Sequence, residues 1–459
     1  VWRLLHPTPT PAVPPQVGDM LPPPAAPPLD DENLLTEILL RLPPLPSSLP
    51  RASLVCKRWR CLTSDPAFSR RFRLHHRRNP PLLGYFHGVF DEIPFEPIRF
   101  EPTLEAPNRV PPGRLSLQSD SNLHVLGCRH GLVLILDWPQ LLVWDPVAGH
   151  QHRLAYPPGF DPDKSNGAVL RSAAGAGEVH FQVVLVVVSD YEEKLLACVY
   201  SSETGAWGSL ISTPTPSGNS PDSDTRVWWE PAVLVGDSLY WMIADTTLSN
   251  FLEFDLKTES LAVMQLPPEK SCDAESGVSH EHFTVMQAEG GGGLGLLSVS
   301  GFTVQLWKRK TGFDGVELDK LLSMDSQDFL TIQGYAEDNN LVFLWTGRSV
   351  FMVKLEPFQC EKLLDTNKWD RYYPFETIYA AGNSMPLHCW SNKTKLLLII
   401  GCVEMPFTSF HVKPTILSSV VSVILLLLDD LFSTYQFCSV VFFPNGCMVT
   451  KPSYFLIIG

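Results

Sequence analysis

The sequence predicts a protein of two domains, a small all-α module of three short helices followed by an all-β, propeller-like domain. In the first part apolar residues recur at spacings of three and four, which is the period of an amphipathic helix. From about Pro80 the pattern changes to short apolar runs separated by glycine, proline, aspartate and asparagine, which is typical of strands and turns. The strands recur in units of roughly 45 to 50 residues, and such a period indicates repeated blades.

The first helix is predicted between a pair of acids and a proline. Asp30 and Asp31 can cap a helix start and lie favourably at its positive end. Pro43 ends the helix because proline has no N–H to donate and its ring clashes with the preceding turn. The apolar stripe between them consists of Leu34, Leu35, Ile38, Leu39 and Leu42.

A second helical run is predicted from Pro50 to about Leu62, because proline is tolerated in the first turn of a helix. Its stripe consists of Ala52, Val55, Trp59 and Leu62. Asp65 closes this run and can cap a further short turn that carries Phe68. A module of about 50 residues buries too little apolar surface to be stable alone, so we expect it to need a partner or a covalent neighbour.

Three runs of this module, taken in order, resemble an F-box, in particular the F-box of grass proteins. They are LLTEILLRLP from Leu34, ASLVCKRWR from Ala52 and DPAF from Asp65. The resemblance implies that the module binds a Skp-type adaptor, which connects it to a cullin, while the rest of the chain recruits a target for ubiquitination. The adaptor-binding residues that it implies are Leu34, Leu35, Ile38, Leu39, Leu42, Pro43, Leu49, Val55, Cys56 and Trp59.

This resemblance covers about 50 of the 459 residues, and it has one departure. Where the family often has Leu-Pro before the first helix, this chain has Pro28 and Leu29 in the opposite order. Periodicity alone would also allow an ordinary helical hairpin in which Cys56 and Trp59 are core residues. That alternative does not explain why the three runs follow one another in the order of the family.

The β domain is similar to the F-box-associated, kelch-like propeller region that follows grass F-boxes. This looser resemblance depends on three segments, which are RHGLVL from Arg129, VWDP from Val143 and YAEDN from Tyr335. Five blades can be counted, and a length of about 300 residues leaves room for six or seven, with weak blades near residues 80–120 and 205–228. A pair of β-sandwiches is the alternative fold.

The predicted domain boundaries are a disordered, proline-rich lead-in at 1–27, the F-box at 28–78, the propeller-like domain at 79–383 and an atypical apolar tail at 384–459. Val1 in place of methionine is consistent with a truncated start. The tail contains an apolar run at 415–428, and fourteen helical residues span about 21 Å, less than the ~30 Å core of a bilayer. A membrane anchor is therefore not favoured, and we interpret the tail as foreign to the fold.

Composition restricts the functions that remain. A net charge of −14 argues against general nucleic-acid binding, which needs a basic footprint. Positive charge is concentrated in residues 51–78, which contain nine lysines and arginines and one acid, Asp65. This stretch is either a solvated helix surface or a functional site, which would bind an acidic partner or serve nuclear import. The ten cysteines lack the spacings of a disulfide framework or a zinc site, and no secretory signal is evident. The sequence therefore predicts a cytoplasmic or nuclear protein that binds no metal and no cofactor.

No catalytic motif is evident, since the chain has no nucleophile elbow, no HExxH helix and no phosphate loop. The sequence therefore predicts a non-catalytic adaptor. Two alternatives remain. The first is a propeller enzyme, or a propeller that binds a glycan or small molecule, in which the helical segment is incidental. The second is a membrane-anchored scaffold. Target binding is predicted on loops at one end of the blades, where aromatic residues and arginine are the usual interface anchors. The candidates are Trp138, Trp228, Trp229, Arg371, Tyr372 and Tyr373.

Overall fold

The computed structural model divides into two units, one with Val1–Arg41 and Ile400–Gly459 and the other with Leu42–Ile399. The residues that it describes are 31–88, 98–117, 123–172, 180–189, 194–216, 225–244, 249–265, 282–288, 293–300, 303–309, 316–323, 330–379, 439–443, 446–451 and 454–458. The predicted lead-in and the apolar run at 415–428 lie outside these ranges. Within them, no helix is long and apolar enough to cross a bilayer.

The first unit contains one described helix, α1 (Glu32–Leu40), which starts as predicted. The Asp31 carboxylate accepts hydrogen bonds from the backbone N–H groups of Asn33 at 2.8 Å and Leu34 at 3.3 Å, so it caps the helix. Three strands of the tail also belong to this unit, namely β26 (Ser439–Phe443), β27 (Gly446–Lys451) and β28 (Tyr454–Ile458), which form an antiparallel sheet.

The second unit begins with three helices, α2 (Ser48–Ser53), α3 (Lys57–Ser64) and α4 (Pro66–His75), so the module has four helices where three were predicted. The predicted second helix is divided at Cys56, whose extended backbone (φ −158°, ψ 171°) cannot continue a helix. The Cys56 thiol instead accepts from Trp59 N–H and caps α3. Asp65 caps α4 as predicted, and α4 buries Phe68 and Phe72.

The rest of this unit is a six-bladed propeller whose described strands form six antiparallel sheets. The strands are β1 (Leu82–Gly88), β2 (Arg99–Pro102), β3 (Leu123–Arg129), β4 (Leu132–Asp137), β5 (Gln140–Asp145), β6 (His150–Ala155), β7 (Ser165–Arg171), β8 (Phe181–Ser189), β9 (Lys194–Ser201), β10 (Ala206–Trp207), β11 (Ile211–Pro214), β12 (Arg226–Val227), β13 (Val233–Val235), β14 (Ser238–Ala244), β15 (Ser249–Asp255), β16 (Ser260–Gln265), β17 (His282–Gln287), β18 (Leu294–Ser300), β19 (Thr303–Arg309), β20 (Val316–Ser323), β21 (Thr331–Ala336), β22 (Leu341–Trp345), β23 (Ser349–Lys354), β24 (Gln359–Asp365) and β25 (Arg371–Glu376).

Blade 1 closes the ring, because its middle strand β1 pairs with both β2 and the last strand of the domain, β25. Blades 2 to 6 follow in chain order as β3–β6, β7–β11, β12–β16, β17–β20 and β21–β24. The stretch near residues 80–120, where a weak blade was suspected, therefore supplies two strands of blade 1. The sixth blade was missed in the count of five because its strands come from both ends of the domain.

Each pair of neighbouring blades encloses its own apolar core. Each core contains buried residues of both blades. Examples, one pair for each of the six interfaces, are Phe86 and Trp144, Leu134 and Leu185, Val184 and Trp241, Tyr240 and Val285, Leu297 and Val342, and Tyr85 and Phe343. A blade thus buries its two faces only against its neighbours, as in a closed ring. This arrangement excludes the pair of β-sandwiches.

The propeller has two distinct ends. The innermost strands β25, β3, β7, β12–β13, β17 and β21 approach one another around the axis, and each last strand of a blade leads to the next innermost strand. The innermost strands therefore all run in the same direction. We name the end of the propeller where these strands begin the entry end, and the end where they finish the exit end. The start of α2 and the linker after α4 contact the exit end. Asn108, which follows β2, accepts from the hydroxyl of Ser47 before α2 at 2.7 Å, and Thr377, which follows β25, donates its N–H to the Pro81 carbonyl.

Candidate partner-binding interfaces

The residues predicted to contact an adaptor separate into buried and accessible members. The buried members are Leu35, Leu39, Leu42 and Leu49. The members that are exposed or partly exposed are Leu34, Ile38, Pro43, Val55, Cys56 and Trp59. An incoming protein can contact only the second group, so we expect the first group to support the helices from within.

The basic residues of α3, α4 and the following turn point to solvent. Lys57, Arg60, Arg70, Arg77 and Arg78 are all exposed. Leu74 on α4 is exposed as well. These positions fit both interpretations of the basic stretch, a solvated surface and a site for an acidic partner.

The innermost strand of blade 4 is interrupted by a bulge that reaches into the channel. Val227 at the end of β12 pairs with Ile243, and Val233 at the start of β13 pairs with Tyr240, so five residues (228–232) oppose only two. Such bulges redirect side chains. Here the bulge exposes two predicted candidates, Trp228 and Trp229, with 42% and 37% of their surface in solvent.

An ion pair across the channel fixes this bulge. Arg371 at the start of β25 donates to the Glu230 carboxylate at 2.8 Å, and the two groups come from opposite blades, 1 and 4. Asn166 of β7 donates its amide to the backbone carbonyls of Trp228 at 2.6 Å and Glu230 at 2.8 Å. The backbone of the bulge is thus held from two sides.

Arg371, Tyr372 and Tyr373 do not lie on an exposed loop, and that placement was wrong. All three belong to strand β25 and are buried. Tyr372 packs between Tyr85 (ring centroids 4.8 Å apart) and Phe343 (5.7 Å), in the core between blades 1 and 6. The aromatic residues of β25 could have indicated a strand, but it was not recognised because its blade is completed by β1 from the other end of the domain.

Sequence reasoning missed Trp369, which lies just before β25 at the entry end and is 42% exposed. The Arg371 guanidinium lies 5.3 Å from its ring centroid, which is a cation–π distance. Gln333 is fully buried, and its side-chain amide is oriented so that the nitrogen donates to the Asp370 carbonyl. Its oxygen then accepts from the Trp369 indole N–H at 3.1 Å. No sequence signal was available for Trp369, because the strand that follows it was not recognised. Trp138, the remaining candidate, is exposed in the β4–β5 turn of blade 2.

A second ion pair crosses the channel toward the exit end. Arg129 at the end of β3 donates from Nε to Glu337 Oε2 at 2.9 Å and from Nη2 to the Ala232 carbonyl at 2.6 Å. Glu337 also accepts from the Leu234 N–H at 2.9 Å, so three blades meet at this pair. Burial lowers the pKa of Arg129, but the Glu337 carboxylate more than compensates and the net shift is upward, so the arginine stays charged.

The three segments that resemble the propeller region of grass F-box proteins are brought together at the exit end. Arg129 of the first binds Glu337 of the third, and Asp145 of the second accepts from Arg171 at 2.8 Å. His130 adopts a left-handed φ of 53°, and its ring nitrogen Nδ1 accepts from the Arg171 N–H. The motif residues therefore stabilise the junction of the blades.

A clamp at the same end holds the linker that follows α4. Glu376 accepts from the Asn339 backbone N–H at 2.8 Å and from its side-chain amide at 2.7 Å, and that amide also donates to the Pro80 carbonyl at 3.0 Å. Burial, with the Asp338 carboxylate adding to it, raises the pKa of Glu376 to about 8. Burial likewise raises the pKa of Asp338 to about 6, with Glu337 adding to the shift.

Glu376 is expected to make stability depend on pH. Between the ordinary pKa of 4.5 and about 8, the folded state holds a proton that the unfolded state lacks. The free energy of unfolding should therefore fall as pH rises through this window, with a slope of up to about 1.4 kcal/mol per pH unit. In Glu376→Gln, whose side chain cannot take up that proton, the slope between pH 6 and 8 should be shallower. Urea unfolding at three pH values measures this, and equal slopes in both proteins would contradict it.

The fold and the helical module define the class of protein, an F-box protein with a β-propeller. A family model described as "F-box-like" matches residues 32–75, and one described as "F-box protein AT5G49610-like, beta-propeller" matches residues 124–381, more than half of the chain. The chain belongs to this AT5G49610-like family of plant F-box proteins. The resemblances noted in the sequence are thereby confirmed at the level of a plant F-box followed by a β-propeller.

A curated relative from Arabidopsis thaliana, named "Putative F-box protein At3g16210", is 25% identical over 242 residues, which are 51% of this chain and 60% of the relative. Among solved structures, similarity is found to the Dos1 propeller (TM-score 0.33, 12% identity, 62% of this chain and 69% of that one). It is also found to the WD40 domain of SCAP from fission yeast (TM-score 0.28, 14% identity, 56% of each chain). Likenesses of this size say nothing about the function of the chain.

Proposed function

We propose that this chain is the non-catalytic, substrate-recruiting subunit of a cullin-type (SCF) ubiquitin ligase. Residues 28–78 would bind a Skp-type adaptor and, through it, the cullin, and residues 79–383 would recruit a target protein for degradation in the cytoplasm or nucleus. The observation that carries the proposal is the pairing of an F-box-like module with a propeller of the AT5G49610-like family in one chain.

Two features of the described residues support recruitment over small-molecule chemistry. The channel, where propeller enzymes would hold a ligand, is crossed by the Arg371–Glu230 and Arg129–Glu337 pairs. The clamp at Pro80 fixes the linker, so a target bound to the propeller would keep a defined position relative to α2–α4. Both features suit a rigid adaptor.

The proposal is tested by mixing the purified full chain with a purified plant Skp-type adaptor and measuring the complex by size-exclusion chromatography with light scattering. A one-to-one complex is expected. If a folded chain elutes separately from the adaptor at micromolar concentrations of both, the F-box function is refuted. Addition of the cullin to a positive complex should then give a ternary species.

A further inference from the structure

The last turn of α4 and the turn after it lie beside the exit ends of blades 2 and 3. Arg77 comes three residues before Pro80, which the clamp holds, and its charge acts on His130 in the β3–β4 turn. Arg73, in the last turn of α4, interacts electrostatically with Arg171 at the end of β7. The helix dipole favours basic residues at the end of α4, but it does not explain the basic and donor groups that the propeller places opposite them.

The two arginines on the helical side of this junction are not neutralised. Arg73 and Arg77 are exposed, and neither forms an ion pair with a described residue. The atoms around Arg73, followed by the like charges of Arg171 and Arg70, lower the pKa of its guanidinium. The Asp145 carboxylate opposes this shift without reversing it, and it is already bonded to Arg171 at 2.8 Å. Positive charge is therefore in excess here.

The other described acids near the junction leave this excess in place. Glu337 is bonded to Arg129, and Glu376 accepts its hydrogen bonds within the clamp. Asp338 interacts with Arg77 over a distance but forms no ion pair with it, and burial raises the pKa of Asp338 to about 6. The helical arginines are thus available to a ligand from outside the chain.

Two donors on the propeller side of the junction are also open to a ligand. Arg171 donates from Nε to the His130 carbonyl at 3.0 Å and from Nη2 to Asp145, which leaves Nη1 without a partner among the described residues. Burial, followed by three arginines, lowers the pKa of His130 to about 3, so the imidazole is neutral. Because its Nδ1 accepts from the Arg171 N–H at 3.3 Å, its proton lies on Nε2. Both Nη1 and Nε2 reach solvent.

We propose that this basic junction, formed by Arg73 and Arg77 on one side and Arg171 and His130 on the other, binds a phosphate group. A phosphate monoester carries a charge of about −1.5 to −2 on three oxygens in a compact tetrahedral group, so it can accept from donors on both sides at once. A carboxylate is planar, and a single guanidinium fork satisfies its two oxygens. The phosphate can belong to a free phosphate compound or to a phosphorylated side chain of a partner protein.

The test compares two anions of similar charge on the full-length chain. Isothermal titration calorimetry is performed with inorganic pyrophosphate and with citrate, a tricarboxylate that controls for charge alone. Pyrophosphate should bind at least about tenfold more tightly than citrate, and Arg73→Gln with Arg77→Gln should weaken it at least about tenfold. Arg109→Gln is the matched control, because Arg109 is an exposed arginine in the loop after β2, and it should leave the affinity unchanged. Thermal melts verify that each variant is folded.

Absence of pyrophosphate binding at concentrations up to about 1 mM, equal binding of citrate, or equal binding by the double variant would overturn the proposal. Glu178, between β7 and β8, lies outside the described residues, so Glu178→Gln is measured as well. Unchanged affinity is expected in this variant, and a tenfold rise would mean that the chain's own carboxylate fills the site, which would also overturn the proposal.

A phosphoserine peptide and its unphosphorylated form distinguish the two sources of the phosphate. Binding of the phosphorylated peptide at least as tight as that of pyrophosphate supports a side chain of a partner protein, and weaker binding supports a free phosphate compound. The site does not depend on the proposed function. A chain that binds pyrophosphate but no Skp-type adaptor would refute the F-box function and leave the basic junction in place.

Discussion

Replacing Arg129 by methionine is expected to lower the free energy of unfolding by about 3–5 kcal/mol, the usual cost of breaking a buried pair from one side. The side chains of Arg129 and Glu337 are 7% and 20% exposed, and they are bonded to each other. Without the arginine, the Glu337 carboxylate stays in the channel with only the Leu234 N–H as its named donor, and the Ala232 carbonyl loses a donor. Urea unfolding followed by tryptophan fluorescence measures the difference.

A surface pair of the same propeller provides the matched control. Lys257 and Asp237 are bonded at 2.6 Å, but their side chains are 72% and 59% exposed. Lys257→Met should therefore change stability far less than Arg129→Met does. Arg129→Met combined with Glu337→Met should recover part of the loss, because no unpaired charge remains. If Arg129→Met and Lys257→Met were equally stable, the channel pair would not hold the blades together.

The second large effect is expected at α1, where Leu34→Asp with Ile38→Asp should weaken adaptor binding by at least about a hundredfold. Each aspartate would place an unpaired carboxylate in an apolar contact, at a desolvation cost of at least about 1.5 kcal/mol, and two such costs correspond to about two factors of ten. Leu34 is 37% exposed and Ile38 partly so, whereas Leu39 is fully buried within the chain. An aspartate at Leu39 would unfold the helix, so that position cannot report on the adaptor alone.

Isothermal titration calorimetry with the adaptor measures this loss, and circular dichroism verifies that the variant is folded. Leu210→Asp is the matched control, because Leu210 is an exposed leucine of the propeller, just before β11. Its affinity for the adaptor should equal that of the unaltered protein. Retained binding by the folded α1 variant would argue strongly against the F-box assignment.

Local signals in the sequence were sufficient for the class of the protein. The stripe from Leu34 to Leu42, the Asp31 and Asp65 caps and the stop at Pro43 specify short helices through interactions within a few residues. The strand pairs on either side of Trp138 and of Lys257 were recognised for the same reason, because period and turn residues are local. The break at Cys56 was not found, since a stripe at spacings of three and four continues across it.

Tertiary structure alone decided which residues reach the channel and which reach a partner. Arg129 and Glu337 are 208 residues apart, and Arg371 and Glu230 are 141 apart, so no local pattern relates them. The closure of blade 1 by β25 buried Tyr372 and Tyr373, while the bulge in blade 4 exposed Trp228 and Trp229. The exposure of an aromatic residue depends on the blade that packs beside it. That neighbour is set by closure of the ring, which joins residues distant in the chain.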